Sequence, residues 1–168
     1  MYSDKIYNSW KPIQNEKYKQ IVKNIDIRPL LKLPTADIGI GSGIFEEFLQ
    51  KRGIEIKNII GVDKNVNMIK KQRVKLKNII ADANSLPFKD NIFEFIICLD
   101  TIHLIKNVKE IKRVLKNHGY LLLSTFCNRE NKGKKIKKIK QQMKDLDLIK
   151  EFTIESKEME IVFLYRKR

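Results

Sequence analysis

The sequence predicts an α/β protein built on a doubly wound sheet. Three observations carry that expectation. Short apolar runs alternate with amphipathic stretches along most of the chain, which implies parallel strands joined by right-handed crossovers. The run "IFEFIICL" (92–99) is almost continuously apolar, as expected of a strand buried on both faces. The last two strand-like runs are separated by a short polar turn, so one of them must run antiparallel. Together these give three layers around a mostly parallel seven-stranded sheet with an antiparallel C-terminal strand.

Each element can be justified in order. Tyr18, Ile21, Val22 and Ile25 recur at i, i+3, i+4 and i+7, the period of an amphipathic helix. Pro34 to Ile38 reads as a short buried strand that ends at a run of glycines. Residues 44–51 read as a helix stopped near Gly53. "NIIGVD" (58–63) is a second strand, 66–75 a helix, and "NIIAD" (78–82) a third strand. "SLPFKDN" is a turn-rich connection to the fourth strand, 92–99. Val108, Ile111 and Leu115 mark a helix expected to close at Asn117-His118-Gly119, with glycine supplying the left-handed conformation. "YLLLSTF" (120–126) is a fifth buried strand. "KGKKIKKIKQQMK" (132–144) puts Ile136, Ile139 and Met143 on one stripe and lysines elsewhere, a basic amphipathic helix. "IKEFTIES" and "MEIVFLYRK" then form a closing hairpin.

Composition narrows the class. A chain of 168 residues with 42% hydrophobic residues is long and apolar enough for one domain with a real core. No stretch approaches the roughly 20 apolar residues that cross a bilayer, and the first residues lack the apolar region of a signal peptide. Cys98 and Cys127 give neither metal spacing nor a disulfide framework. The expectation is a cytoplasmic protein with reduced thiols and no metal site. The net charge of +15 is spread over 64–77, 106–116 and 132–144. It reads either as solvated lysines or as a face for an anionic partner.

The stretch "ADIGIGSGIFEEF" (36–48) carries the chemistry. Gly39, Gly41 and Gly43 suit a loop that wraps a small ligand. Ile44 stands where a dinucleotide fingerprint needs its third glycine. Asp37 at the loop's mouth opposes a pyrophosphate, because two like unit charges about 4 Å apart repel by about 4 kcal/mol at an effective dielectric of about 20. It favours a ligand with a cationic group. Asp63 ends the second strand, 20 residues past Gly43, the place of an acid that accepts from ribose hydroxyls. Asp82 ends the third strand, where it can accept from an exocyclic amine, and Asp100 follows the fourth. A ribose, an adenine and an ammonium without phosphate satisfy the first three, and S-adenosyl-L-methionine has all of them.

On these residues the chain resembles class I S-adenosylmethionine-dependent methyltransferases over roughly residues 30–126. "DIGIGSG" is similar to the first family motif, and "GVDKNVNMI" to the segment with the ribose-binding acid. "ADANSLPFKDNIFEFIICLDTIHLI" and "EIKRVLKNHGYLLLSTF" resemble the following stretches in order. The resemblance implies S-adenosyl-L-methionine as cofactor and S-adenosyl-L-homocysteine as product. It implies that Asp37 and the backbone near Gly39 and Ile40 hold the methionine ammonium, with Gly41 and Gly43 allowing close approach. Asp63 would bind the ribose, Lys64 line the adenine, Asp82 and Ala83 contact the adenine, and Leu99 face the methionine end. It also divides residues 1–168 into an N-terminal helical lid (1–30), a cofactor-binding core (31–126), a basic insertion helix (127–145) and a closing β-hairpin (146–168).

Methyl transfer is an in-line displacement at an activated donor, so alignment supplies much of the rate. Asp100 and His103 lie where a general base could reach the acceptor, whereas His118 reads as structural and Cys98 as core. Tyr2, Tyr7 and Trp10 are expected to fold over the pocket as a lid. The acceptor is expected to be a small molecule. The alternatives are RNA or protein gripped by the lysines of 132–144, or a non-catalytic cofactor-binding subunit. An anionic molecule or a membrane surface could also meet that basic helix. Neither the oligomeric state nor the methylated atom is written in the sequence.

Overall fold

A computed structural model describes residues 4–168, with side chains described from Trp10 onward. Among the described residues, seven strands form one sheet in the order β3-β2-β1-β4-β5-β7-β6. They are β1 (Thr35–Ile38), β2 (Ile59–Asp63), β3 (Lys77–Ile80), β4 (Phe93–Cys98), β5 (Leu115–Cys127), β6 (Leu146–Glu155) and β7 (Met159–Lys167). β1 to β5 pair in parallel, and β7 inserts antiparallel between β5 and β6. The strand order reverses beside β1, which pairs with β2 on one side and β4 on the other. Ligands of doubly wound sheets bind at that reversal, beyond the strands' carboxyl ends.

The helices are α1 (Asp4–Asn24), α2 (Ile44–Gln50), α3 (Val66–Ile69), α4 (Lys109–Val114) and α5 (Lys132–Gln142). Side chains alternate across each strand, so β4 sends Phe95 and Ile97 to one face and Ile96 and Cys98 to the other. The first face is covered by Ile21 of α1 and Ile25 just after it, with Phe45, Phe48 and Leu49 of α2. The second is covered by Ile111 and Val114 of α4 with Ile139 of α5 and the following Met143. Helices on both faces make the three layers.

Three details depart from the sequence expectation. The helix expected over 66–75 is the single turn α3, capped by Asn65, whose side chain accepts from Asn67 N and Met68 N. It buries none of its residues, so no packing extends it. Instead, Gln72 bonds Asn78 of β3 and the carbonyl of Gly41. The helix expected to run to Asn117-His118-Gly119 stops at Val114, and Leu115 already pairs with Phe93. The turn lies inside β5, where the register shifts between Phe93 and Phe95. His118, not Gly119, takes the positive φ of 63°. Gly119 is needed for space: a Cβ there would lie 2.9 Å from the Lys116 carbonyl oxygen and 3.0 Å from that of Glu94. Finally, α1 starts well before its amphipathic stretch and carries Pro12 inside it, where one backbone donor is lost.

Candidate active site

The loop 39–43 leaves β1 and enters α2. Gly39, Gly41 and Gly43 all have positive φ (83°, 57° and 67°), a region that glycine enters without steric cost. Gly39 is also held against Thr101, since a Cβ there would lie 2.2 Å from Thr101 Oγ1. Gly43 opens α2 and faces Val74 and Gln72 behind the loop; it turns the chain and does not line the cavities below. Gly39 N and Ile40 N donate to the Val62 carbonyl at 2.7 and 3.2 Å. Gly41 N donates to Asp63 Oδ2 at 2.8 Å, and Asn65 N donates to Asp63 Oδ1 at 2.8 Å. Asp63 thus fixes the loop and keeps further acceptor capacity on both oxygens.

Three cavities follow one another along the carboxyl ends of the strands. The first, about 200 Å³, is lined by Asp37, Ile40, Gly41, Glu46, Leu99 and Tyr18 among others. The second, about 110 Å³, is lined by Asp63, Lys64, Asp82, Ala83, Asn84 and Ile105 among others. Gly39 and Thr101 line both and form the step between them. The third, about 440 Å³, has Phe126, Leu104, His103 and Glu160 in its wall. It shares Trp10, Ser42, Ile44, Met68 and Asp100 with the first. The structure therefore brings Asp37, Gly39, Ile40, Gly41, Leu99 and Asp100 to one chamber and Asp63, Lys64, Asp82 and Ala83 to its neighbour. His103 is exposed on the rim of the third.

The electrostatics differ from chamber to chamber. Asp37 is 4% exposed and Glu46 0%. Burial, then Glu46 beside it, pushes the Asp37 carboxyl well above the usual range, and burial raises Glu46 as well. Two ionised carboxylates cannot bond each other, and both Glu46 oxygens are buried without a donor among the described residues. Asp82, by contrast, is exposed. It is held low by Asn84, whose N and Nδ2 donate to Asp82 Oδ1 at 2.8 and 2.7 Å.

Asp100 has a positive φ of 53° and receives the Lys17 ammonium from α1. Lys17 also lies 3.3 Å from Glu160 Oε2 on β7. Burial works to raise Asp100, but the Glu160 carboxyl bonded to it and the Lys17 charge together hold it below its ordinary value. Burial and the Asp100 carboxyl push Glu160 up to about 8. Burial, then the surrounding acids, keeps the Tyr18 hydroxyl neutral. Burial likewise raises the Cys98 thiol, which sits in the core. Trp10 is 39% exposed, lines the first and third cavities, and donates Nε1 to Glu158 Oε1 at 3.1 Å. Of the other aromatics expected in a lid, Tyr2 and the Tyr7 side chain lie outside what the structure describes.

Glu46, Thr101, Lys17 and Glu160 did not emerge from the sequence. Glu46 sits in "IFEEF" beside Glu47, and nothing local says which acid turns inward. Lys17 and Glu160 meet Asp100 across 83 and 60 residues of sequence, beyond any local pattern.

Comparison with known proteins agrees with this fold. The family model described as a methyltransferase domain matches residues 36–123, more than half of the chain. An uncharacterized protein of Methanocaldococcus jannaschii is 30% identical over 134 residues, covering 70% of this chain and 57% of that one. A ubiquinone biosynthesis O-methyltransferase of Pelagibacter ubique is 25% identical over 132 residues, covering 71% of this chain and 55% of that one. The chain thus spans little more than half the length of these relatives. The crystal structure of a SAM-dependent methyltransferase of Methanosarcina mazei superposes with a TM-score of 0.64 over 80% of this chain and 92% of that one, at 18% identity, a likeness of fold. The motif-bearing loop, the strand order and the matched span lead to one assignment: the chain belongs to the methyltransferase domain family, with the class I, Rossmann-like fold.

Proposed function

We propose that this chain transfers a methyl group from S-adenosyl-L-methionine to a small, largely apolar acceptor. One observation carries the reading: an acceptor-sized, apolar-walled cavity opens onto the acid-lined chamber at the glycine loop, and Asp100 stands in both. The family implies the cofactor, and the residues fit it. A buried acid pair suits an ammonium, Asp63 keeps lone pairs for ribose hydroxyls, and Asp82, Ala83 and Lys64 border a slot for the base. When bound, the cofactor supplies a methyl group already activated on a sulfonium.

The chain's own residues then have alignment and proton handling left to do. Trp10, Phe126 and Leu104 offer apolar surface to an acceptor body. Asp100 is the ionisable residue shared by both chambers, so it is placed to accept from the O–H or N–H of an acceptor, although Glu160 and Lys17 hold it a weak base. His103 at the rim is the second such candidate. A relative named for O-methyl transfer in ubiquinone biosynthesis supports a small acceptor.

An anionic macromolecule such as RNA is the second reading. Its support is that Lys135 and Lys138 of α5 border a small cavity that shares His103 with the acceptor chamber. Labelled methyl transfer into extract fractions, with and without ribonuclease, decides between them. Label in a low-molecular-weight fraction regardless of ribonuclease supports the first reading, and ribonuclease-sensitive label replaces it by the second. S-adenosylhomocysteine at about 100 times its Kd should add about 2.7 kcal/mol of stability; no thermal shift would remove the cofactor from the account. Trp10→Ala should weaken acceptor or cofactor binding, and unchanged kinetics for both would argue against a lid.

A further inference from the structure

Glu46 is a costly residue for the fold on its own. α2 presents it to the first chamber beside Asp37, fully buried, with neither oxygen given a donor by the described residues. Its neighbour Glu47 is treated differently, with Lys11 at 2.7 Å and Lys51 at 2.8 Å. The charged and titratable groups that face the Asp37–Glu46 pair are Asp63 from β2, the Tyr18 hydroxyl from α1 and the Cys98 thiol from β4. None of these is a cation. The nearby ammonium of Lys17 is committed to Asp100 and Glu160, and that of Lys11 to Glu47. A chamber with two inward carboxyls and, among the described residues, no cation of its own is suited to a ligand that brings one.

We propose that Glu46 and Asp37 form a two-carboxyl clamp for the α-ammonium of the cofactor, and that the clamp gives up a shared proton when that cation arrives. The inference rests on the cofactor reading above and adds a residue and a proton to it. In the free chain one proton sits between the two buried carboxyls and cancels half their charge. The ammonium replaces that proton, bonds both carboxylates, and leaves the chamber with one net negative charge, as before. The burial that raises both groups is what keeps the proton in place until then. A single carboxylate could bind an ammonium without this exchange. The second one makes methionine-end binding depend on pH and on the amino group.

The test compares two ligands by titration calorimetry. S-adenosylhomocysteine carries the amino acid, and 5′-methylthioadenosine is the same nucleoside thioether without it. For the wild-type chain, buffers with different ionisation heats should show about one proton released with S-adenosylhomocysteine and none with 5′-methylthioadenosine. As pH falls the affinity for the first should fall with it, by up to about tenfold per unit, while that for the second stays flat. Glu46→Gln keeps the shape and removes the charge. It should weaken S-adenosylhomocysteine about thirtyfold or more, abolish the proton release, and leave 5′-methylthioadenosine within about twofold. Equal losses for the two ligands, or an unchanged proton count in Glu46→Gln, would overturn the clamp. The wild-type proton count needs no variant to fold: binding of S-adenosylhomocysteine without proton release sinks the clamp and leaves the cofactor reading standing. If neither ligand binds the wild-type chain, the cofactor reading fails and the clamp falls with it.

Discussion

At the scale of single residues, the site depends on contacts that leave no slack. A Cβ on Gly39 would meet Thr101 Oγ1 at 2.2 Å, and its φ of 83° disfavours any side chain. Gly39→Ala should therefore cost about 1–3 kcal/mol of stability and displace Thr101 from the step between the first two chambers. Urea denaturation together with S-adenosylhomocysteine titration would read both effects. If both match wild type, the step is not rigid. Glu160 gives a pH signature. Its carboxyl is raised from an ordinary 4.5 to about 8 in the folded chain, so between those values the native state holds a proton that the unfolded state has lost. Its contribution to stability is thus fully present below about pH 4.5 and is lost as pH rises towards 8. Glu160→Gln should flatten that decline in urea midpoints, and an equally steep decline in the variant would locate the titration elsewhere. The acids at or near strand ends, Asp37, Asp63 and Asp82, could be singled out because a glycine loop and a strand end fix their neighbourhoods locally. Glu160 was not, since its meaning comes from Asp100 and Lys17 on other elements.

At the scale of elements, hydrophobic period identified most helices and strands, and tertiary contacts set where they stop. The stretch 66–75 has the composition of a helix, yet only its first turn forms. Three residues past that turn, the Gln72 side chain is drawn into bonds with Gly41 and Asn78. The segment 115–119 contains a turn signal, yet Leu115 already pairs with Phe93 as part of β5. α5 was read correctly as a basic amphipathic helix. Its stripe docks on the sheet, with Ile139 4% exposed, and Lys137 and Lys138 are exposed. Ile139→Ala should cost about 2–5 kcal/mol. Lys137→Glu and Lys138→Glu should each move stability by no more than about 0.5 kcal/mol. If those charge reversals also leave methyl transfer unchanged, the basic face is solvation rather than a binding surface. A steep loss of transfer that is sensitive to salt would favour the RNA reading.

At the scale of the whole molecule, the closing hairpin completes the architecture. β7 pairs with β5 over eight registered residues, from Tyr120 with Arg166 to Cys127 with Met159, and β6 covers the other side of β7. β7 also carries Glu160 into the site, and Phe163 and Tyr165 into the second-face core. Removing residues 146–168 should leave β5 as an open edge and make the chain aggregate. A soluble, monodisperse truncation by size-exclusion chromatography would show that the hairpin is dispensable to the fold.

The sequence by itself determined the α/β class, the strand count, the glycine loop and its flanking acids. Each of these is written in spacings of a few residues that backbone geometry alone enforces. Only the tertiary structure decided which acids face one another. Asp37 meets Glu46 where a strand end and the first turn of the next helix share a buried wall, and Asp100 meets Glu160 and Lys17 where β4, β7 and α1 converge. The charge state of those carboxyls follows from burial and from neighbours brought in by the fold. A linear sequence specifies such neighbours only once the sheet has closed around them.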